Sequence, residues 1–94
     1  MYRKFIGKKV VIRHQLSGVW MAIVDDADER GRMAITGRRC WRWSEALDAS
    51  TIAAYGCGGR ITALRSLVIG DAPIECIEAD DAAYDRVMSA EVAR

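Results

Sequence analysis

The chain has 94 residues, 51% of them hydrophobic and 29% charged, with three cysteines, one histidine and a net charge of +1. That size allows one domain with a modest core, the apolar share excludes a disordered chain, and the longest apolar runs fall far short of the roughly 20 residues that cross a bilayer as a helix. The charge is unevenly spread: the first 65 residues hold twelve Lys/Arg against six Asp/Glu, and the last 29 hold two against seven. Two such segments either complement each other, within or between chains, or leave a basic surface for an anionic ligand.

In chain order, Met1-Tyr2-Arg3-Lys4-Phe5 is basic and leads into no apolar signal core or small-residue cleavage site, so a cytoplasmic protein is expected. Residues 8–13 read Lys-Lys-Val-Val-Ile-Arg, a β-branched run between Gly7 and Ser17-Gly18 that predicts the first strand. His14, next to Arg13, is expected at the surface. Residues 19–24 are apolar at every position, as in a strand covered on both faces, so the second strand is predicted to be central. Asp25-Asp26-Ala27-Asp28-Glu29-Arg30-Gly31 then makes a polar hairpin turn. Asp26, Asp28 and Gly31 match three positions of a calcium-binding loop, but Arg30 and Gly37 fall where a ligand and the bidentate glutamate belong, which excludes that reading. Met33-Ala34-Ile35-Thr36 resumes strand character, and after Gly37 the stretch 38–43 either continues that strand with a bulge or begins another.

Arg38-Arg39-Cys40-Trp41-Arg42-Trp43 puts three arginines and two tryptophans into six residues. Strand alternation sets Arg39, Trp41 and Trp43 on one face and Arg38, Cys40 and Arg42 on the other. Asp48 is placed to cap a short helix over 49–55, which Gly56 would close. Gly56-Cys57-Gly58-Gly59-Arg60 matches no phosphate-binding glycine motif and reads as a flexible turn, with Arg60 as its anion-contacting candidate. Residues 61–69 and 74–77 predict the last two strands, split by Gly70-Asp71-Ala72-Pro73. From Asp80 to the end, a capping aspartate, early acids, a late arginine and Ala83, Val87 and Ala90 at helical spacing predict a terminal helix. The expected fold is α+β: one domain with a bent, mostly antiparallel sheet of five to six strands, one short helix and a C-terminal helix.

Residues able to do chemistry are sparse. Cys40, Cys57 and Cys76 lack the paired spacing of a zinc or redox site, so even with His14 they make a poor metal set and free thiols are expected. Ser17, Ser44 and Ser66 stand in no Ser-His-Asp pattern, and neither catalysis, a metal nor a cofactor is expected. Indole faces, however, stack on nucleobases, and guanidinium groups hold phosphates in bidentate fashion. The candidate ligand-binding residues are therefore Arg38, Arg39, Trp41, Arg42, Trp43 and Arg60, and the expected ligand is a nucleotide-like anion. The competing reading makes Trp41 and Trp43 core residues with Arg38 and Arg42 solvated on the opposite face, leaving Arg39 in need of an acid or a phosphate. Nucleic acid matches less well, because the net charge is far from the strongly basic balance of domains that bind it. So short a chain gains buried area by homo-oligomerisation, with a dimer the first expectation.

Gly18-Val19-Trp20 in an early strand, the arginine and tryptophan stretch, the alanine- and serine-rich helix ending at Tyr55-Gly56 and the late Ile74-Glu75-Cys76-Ile77 strand resemble a family of small uncharacterised proteins of tailed bacteriophages, over residues 5–88. Members of that family tend to carry a longer cysteine-containing segment after the helix, where this chain has the short glycine loop. The resemblance implies a phage setting in the host cytoplasm and transfers no catalytic residue. By analogy of setting it implies a non-enzymatic counter-defence protein that binds and sequesters a nucleotide-like immune signal of the host, cyclic forms included. The alternatives are a nucleic-acid-binding accessory protein and a protein-interaction module that inhibits a host defence factor.

Overall fold

The computed structural model describes residues 2–15, 17–42, 49–57, 60–70, 73 and 75–92, with only the backbone described at 41 and 42. A 3-10 turn (Tyr2–Phe5) leads into β1 (Lys9–His14), β2 (Gly18–Ala27) and β3 (Met33–Arg42), followed by α1 (Ala49–Tyr55), β4 (Arg60–Ile61), β5 (Arg65–Ile69), β6 (Glu75–Glu78) and α2 (Asp81–Met88). The strands form one sheet in the order β4-β3-β2-β1-β6, with β5 pairing β3 further along the same side as β4. All of these pairings are antiparallel. The fold is therefore α+β, with β2 between β1 and β3 as its apolar sequence predicts.

Period-two alternation explains the two cores. Val11, Val19, Met21 and Cys40 face the helices and pack with Ile52 and Ala53 of α1 and with Ala83 and Val87 of α2. Val10, Ile12, Trp20, Ala22, Val24, Met33 and Ile35 face the other way into a second buried cluster. Both helices lie on the first cluster. The second is joined by Tyr2 and Phe5 of the 3-10 turn, Leu67 of β5 and Cys76 of β6. The second cluster therefore extends across the sheet from β5 to β6.

Turn chemistry fixes the connections. The β2–β3 hairpin is closed by Asp28, whose Oδ1 accepts from the backbone N–H of Arg30 at 2.8 Å and of Arg32 at 3.0 Å, with Gly31 at φ 91°. Before that turn the β2–β3 register shifts between Val24 and Asp26, so Asp25 sits at a bulge inside the strand and not in the hairpin tip. Gly56, at φ 77°, closes α1 and donates its N–H to the Ile52 carbonyl, as its place in the sequence predicts. Asp80 occupies the N-cap of α2, yet its side chain makes no capping hydrogen bond.

Three sequence expectations are corrected. His14 is buried, 8% exposed, because its Nδ1 accepts from both the backbone N–H and the Oγ of Ser17 and so closes the β1–β2 turn. The run 61–69 is two strands: β4 pairs with Cys40 and Arg42, β5 pairs with 33–37, and the chain between them leaves the ladder. The terminal helix stops at Met88, and Val92 instead forms a bridge beside Ile61. The proposed Asp48 cap lies outside the described residues.

Candidate functional site

Strand β3 carries the residues singled out by sequence and distributes them over both faces of the sheet. Arg38 pairs with Met21 and shares its helix-covered face, while Arg39 pairs with Trp20 on the opposite face. The two guanidinium groups therefore start from opposite sides and do not form one phosphate clamp. Arg39 runs over the edge of β2 at Gly18, where an added Cβ would fall 2.7 Å from its Nε. Arg60 is exposed at the end of the sheet, set opposite Arg42 by the β3–β4 register. The side chains of Trp41 and Arg42, and the whole of Trp43, lie outside the described residues.

Arg38 is not solvated, contrary to the reading that puts it on an open face. It is 3% exposed, and its guanidinium reaches across the sheet to the end of α2. Nε donates to the Thr62 carbonyl at 2.7 Å, and Nη1 donates to the carbonyls of Val87 at 2.8 Å, Met88 at 3.1 Å and Ala90 at 2.6 Å. A cation at a helix C-terminus answers the carbonyls that lack a helical partner and the negative end of the helix dipole. The remaining nitrogen, Nη2, is buried and has no hydrogen-bond partner among the described residues. Among the described residues, Arg38 also forms no salt bridge with a carboxylate.

Arg38 stands in the wall of a cavity of about 630 Å³, open to solvent, between the sheet and the end of α2. Ligand pockets typically measure roughly 300–1,000 Å³. Asp25 and Thr36 line it on the strand side, Tyr84 on the helix side, and the exposed Leu64 and Val92 lie at its margin. Thr36 Oγ1 donates to Asp25 Oδ2 at 2.6 Å. The 2.8 Å contact between Thr36 Oγ1 and Ser66 Oγ then has the serine as donor, since the threonine's one hydrogen is already used. Lys9 Nζ lies 4.8 Å from the centroid of the Tyr84 ring and 3.1 Å from Asp81, which raises the lysine pKa.

The sequence reading missed Asp25, Thr36 and Tyr84. Thr36 and Arg38 are two apart on one strand and so share a face, which was a usable signal. The bulge that brings Asp25 beside Thr36 has no comparable signature.

The cysteines are free and mostly buried. Cys40 donates to Cys57, and that bond with burial pushes the Cys40 thiol up, while accepting it holds Cys57 down. Burial raises Cys76 to about 11. Among the described residues, no three His, Cys, Asp or Glu side chains gather in a group that could hold a metal ion. No helix in the described residues is long and apolar enough to cross a membrane. No protein-family model matches the sequence, and neither a curated protein nor a solved structure matches the chain.

Proposed function

We propose that this protein is a non-catalytic binding module that takes a nucleotide-like small molecule in the cavity beside α2 and acts by holding it. One observation carries the reading: Arg38, a buried cation with no carboxylate partner among the described residues, stands in the wall of the cavity. Burying a cation without a counter-charge is costly, and an anionic ligand in the cavity offsets that cost through space. The cavity offers the rest of what a nucleotide needs: an aromatic wall at Tyr84, apolar surface at Leu64 and Met88, and polar groups on the strands. Under the phage resemblance, the natural ligand is a nucleotide signal of the host and the effect is sequestration. The exposure of Leu64 (59%) and Val92 (51%) on the same cavity favours a second reading, in which an apolar side chain of a host protein docks there.

Nuclear magnetic resonance titration of the labelled chain with a panel of mononucleotides and cyclic dinucleotides tests this. The expected result is saturable shifts at Leu64, Tyr84 and Met88, with Leu64→Glu weakening binding about tenfold and leaving the fold intact. Saturable shifts confined to the sheet end near Arg60 would move the site away from the cavity. No binding at millimolar nucleotide would remove the nucleotide reading in favour of the protein-docking one.

A further inference from the structure

We infer that Cys40 and Cys57 form a redox pair, which a hydroperoxide converts into an intramolecular disulfide that fastens the end of α1 to β3. The pair lies outside the cavity wall, so the inference is independent of nucleotide binding. The two cysteines come from separate parts of the chain, one in β3 and one just past the end of α1, and meet in the helix-covered core. Their side chains are hydrogen-bonded to each other, with Cys40 as the donor. A disulfide is about 2.0 Å long, so two thiols already in contact need only a short approach to form one. Cys76 does not compete, because it packs with the second cluster on the opposite face of the sheet.

The surroundings assign the roles. Accepting the hydrogen bond from Cys40 holds the Cys57 thiol below its ordinary range against the opposing effect of burial, and the Arg86 guanidinium adds to this. Arg86 also donates from Nη1 to the Tyr55 carbonyl at the end of α1. A thiolate is the nucleophile toward a peroxide, and a neighbouring donor and cation favour it. The Cys57 sulfur attacks one peroxide oxygen, the O–O bond breaks, and the departing oxygen takes up the proton that Cys57 lost, which leaves a sulfenic acid. The Cys40 sulfur then attacks the Cys57 sulfur, the S–O bond breaks, and hydroxide leaves as water with the Cys40 proton. With hydrogen peroxide, two thiols thus give one disulfide and two waters, the peroxide taking both electrons. Burial limits the rate: Cys57 is 5% exposed and Cys40 1%, so oxidation proceeds through local opening of the chain past the helix end. It does not change the product, since a sulfenic acid at Cys57 meets the Cys40 thiol when that segment recloses.

The cross-link closes a segment of sixteen residues, 41–56, and holds Gly56 against Ala83 and Arg86 of α2. Mass spectrometry of the full chain, reduced and then kept for hours in millimolar hydrogen peroxide, tests the inference. The expected product has lost two hydrogens, yields a peptide joining Cys40 to Cys57, keeps Cys76 as a thiol and reverts with dithiothreitol. Its Tm is expected to rise by at least about 5 °C, as closing a segment of this length predicts. Cys40→Ser, shown folded by circular dichroism, is expected to gain oxygen at Cys57 and form no cross-link. An unchanged mass in the parent, oxygen added to it without a cross-link, or a cross-link through Cys76 overturns the redox pair. A Cys40–Cys57 cross-link that leaves Tm unchanged overturns the fastening of α1 to β3.

Discussion

Arg38 shows how one side chain ties together elements far apart in sequence. The two N–H groups of Nη1 are shared among three carbonyls at and just past the end of α2, and Nε donates to Thr62, so the side chain ties that helix to the sheet. Truncation strands those carbonyls, and a buried acceptor left dry costs about 1–3 kcal/mol. Arg38→Met, which keeps most of the stem's apolar volume, is therefore expected to lower stability by at least about 2 kcal/mol in urea denaturation. A change within the roughly 0.5 kcal/mol of an ordinary surface substitution would refute this role. Cys76 adds a pH-dependent effect. Its folded pKa of about 11 lies above its ordinary 9.0, so between those values the folded chain holds a proton that the unfolded chain has lost. Stability should fall as pH rises through that window, and at pH 8 only about one Cys76 in a thousand is a thiolate. Native protein is expected to react slowly with a thiol reagent at pH 8, with Cys40 and Cys57 released only on unfolding; rapid reaction of two thiols in the native state would contradict their burial.

At the scale of elements, strand identity and order of appearance were legible because they follow from period-two patterning and turn residues, but the breaks were not. Gly37 looks like punctuation between two strands, yet it lies in the middle of β3. A Cβ there would collide with the Met21 carbonyl oxygen and Ala22, so the glycine permits close approach of β3 to β2 without ending the strand. The run 61–69 keeps its apolar character across the gap between β4 and β5, and composition alone does not reveal that the two pair with separate parts of β3. The terminal helix has no glycine or proline at its end; it stops where its last carbonyls are taken by Arg38, a contact between residues about fifty apart in sequence. The same limit governs the site. Alternation correctly separates Arg38 and Cys40 from Arg39, but it assigns parity and not side, and only the packing of α1 and α2 makes the Arg38 face the helix-covered one.

At the scale of the whole molecule, the charge asymmetry is at least partly met within one chain. Basic β1 lies beside acidic β6 and α2, with Arg13 at 2.8 Å from Glu75, Lys9 at 3.1 Å from Asp81 and Lys8 at 3.9 Å from Glu78. These pairs are exposed and contribute little stability each, yet they remove the electrostatic argument for pairing between subunits. The argument for a dimer passes to the sheet edges. Among the described residues, β5 pairs only with β3 and β6 only with β1, so each presents an outer edge. Antiparallel self-pairing of β6 about its centre would set Glu75 against Glu78 of the second copy, like charges directly opposite. Self-pairing of β5 about Leu67 sets Arg65 against Ile69 and Ser66 against Val68, with no such conflict, and Val68 is 62% exposed. An exposed edge that sets no like charges opposite each other is open to strand addition, and two-fold symmetry closes it at two copies. Light scattering at micromolar concentration is expected to give twice the 10.4 kDa chain mass, and Val68→Lys to return it to the single-chain value by placing two charges in the pairing. A parent that scatters as one chain removes the dimer, and a dimer indifferent to Val68→Lys places the contact elsewhere than β5.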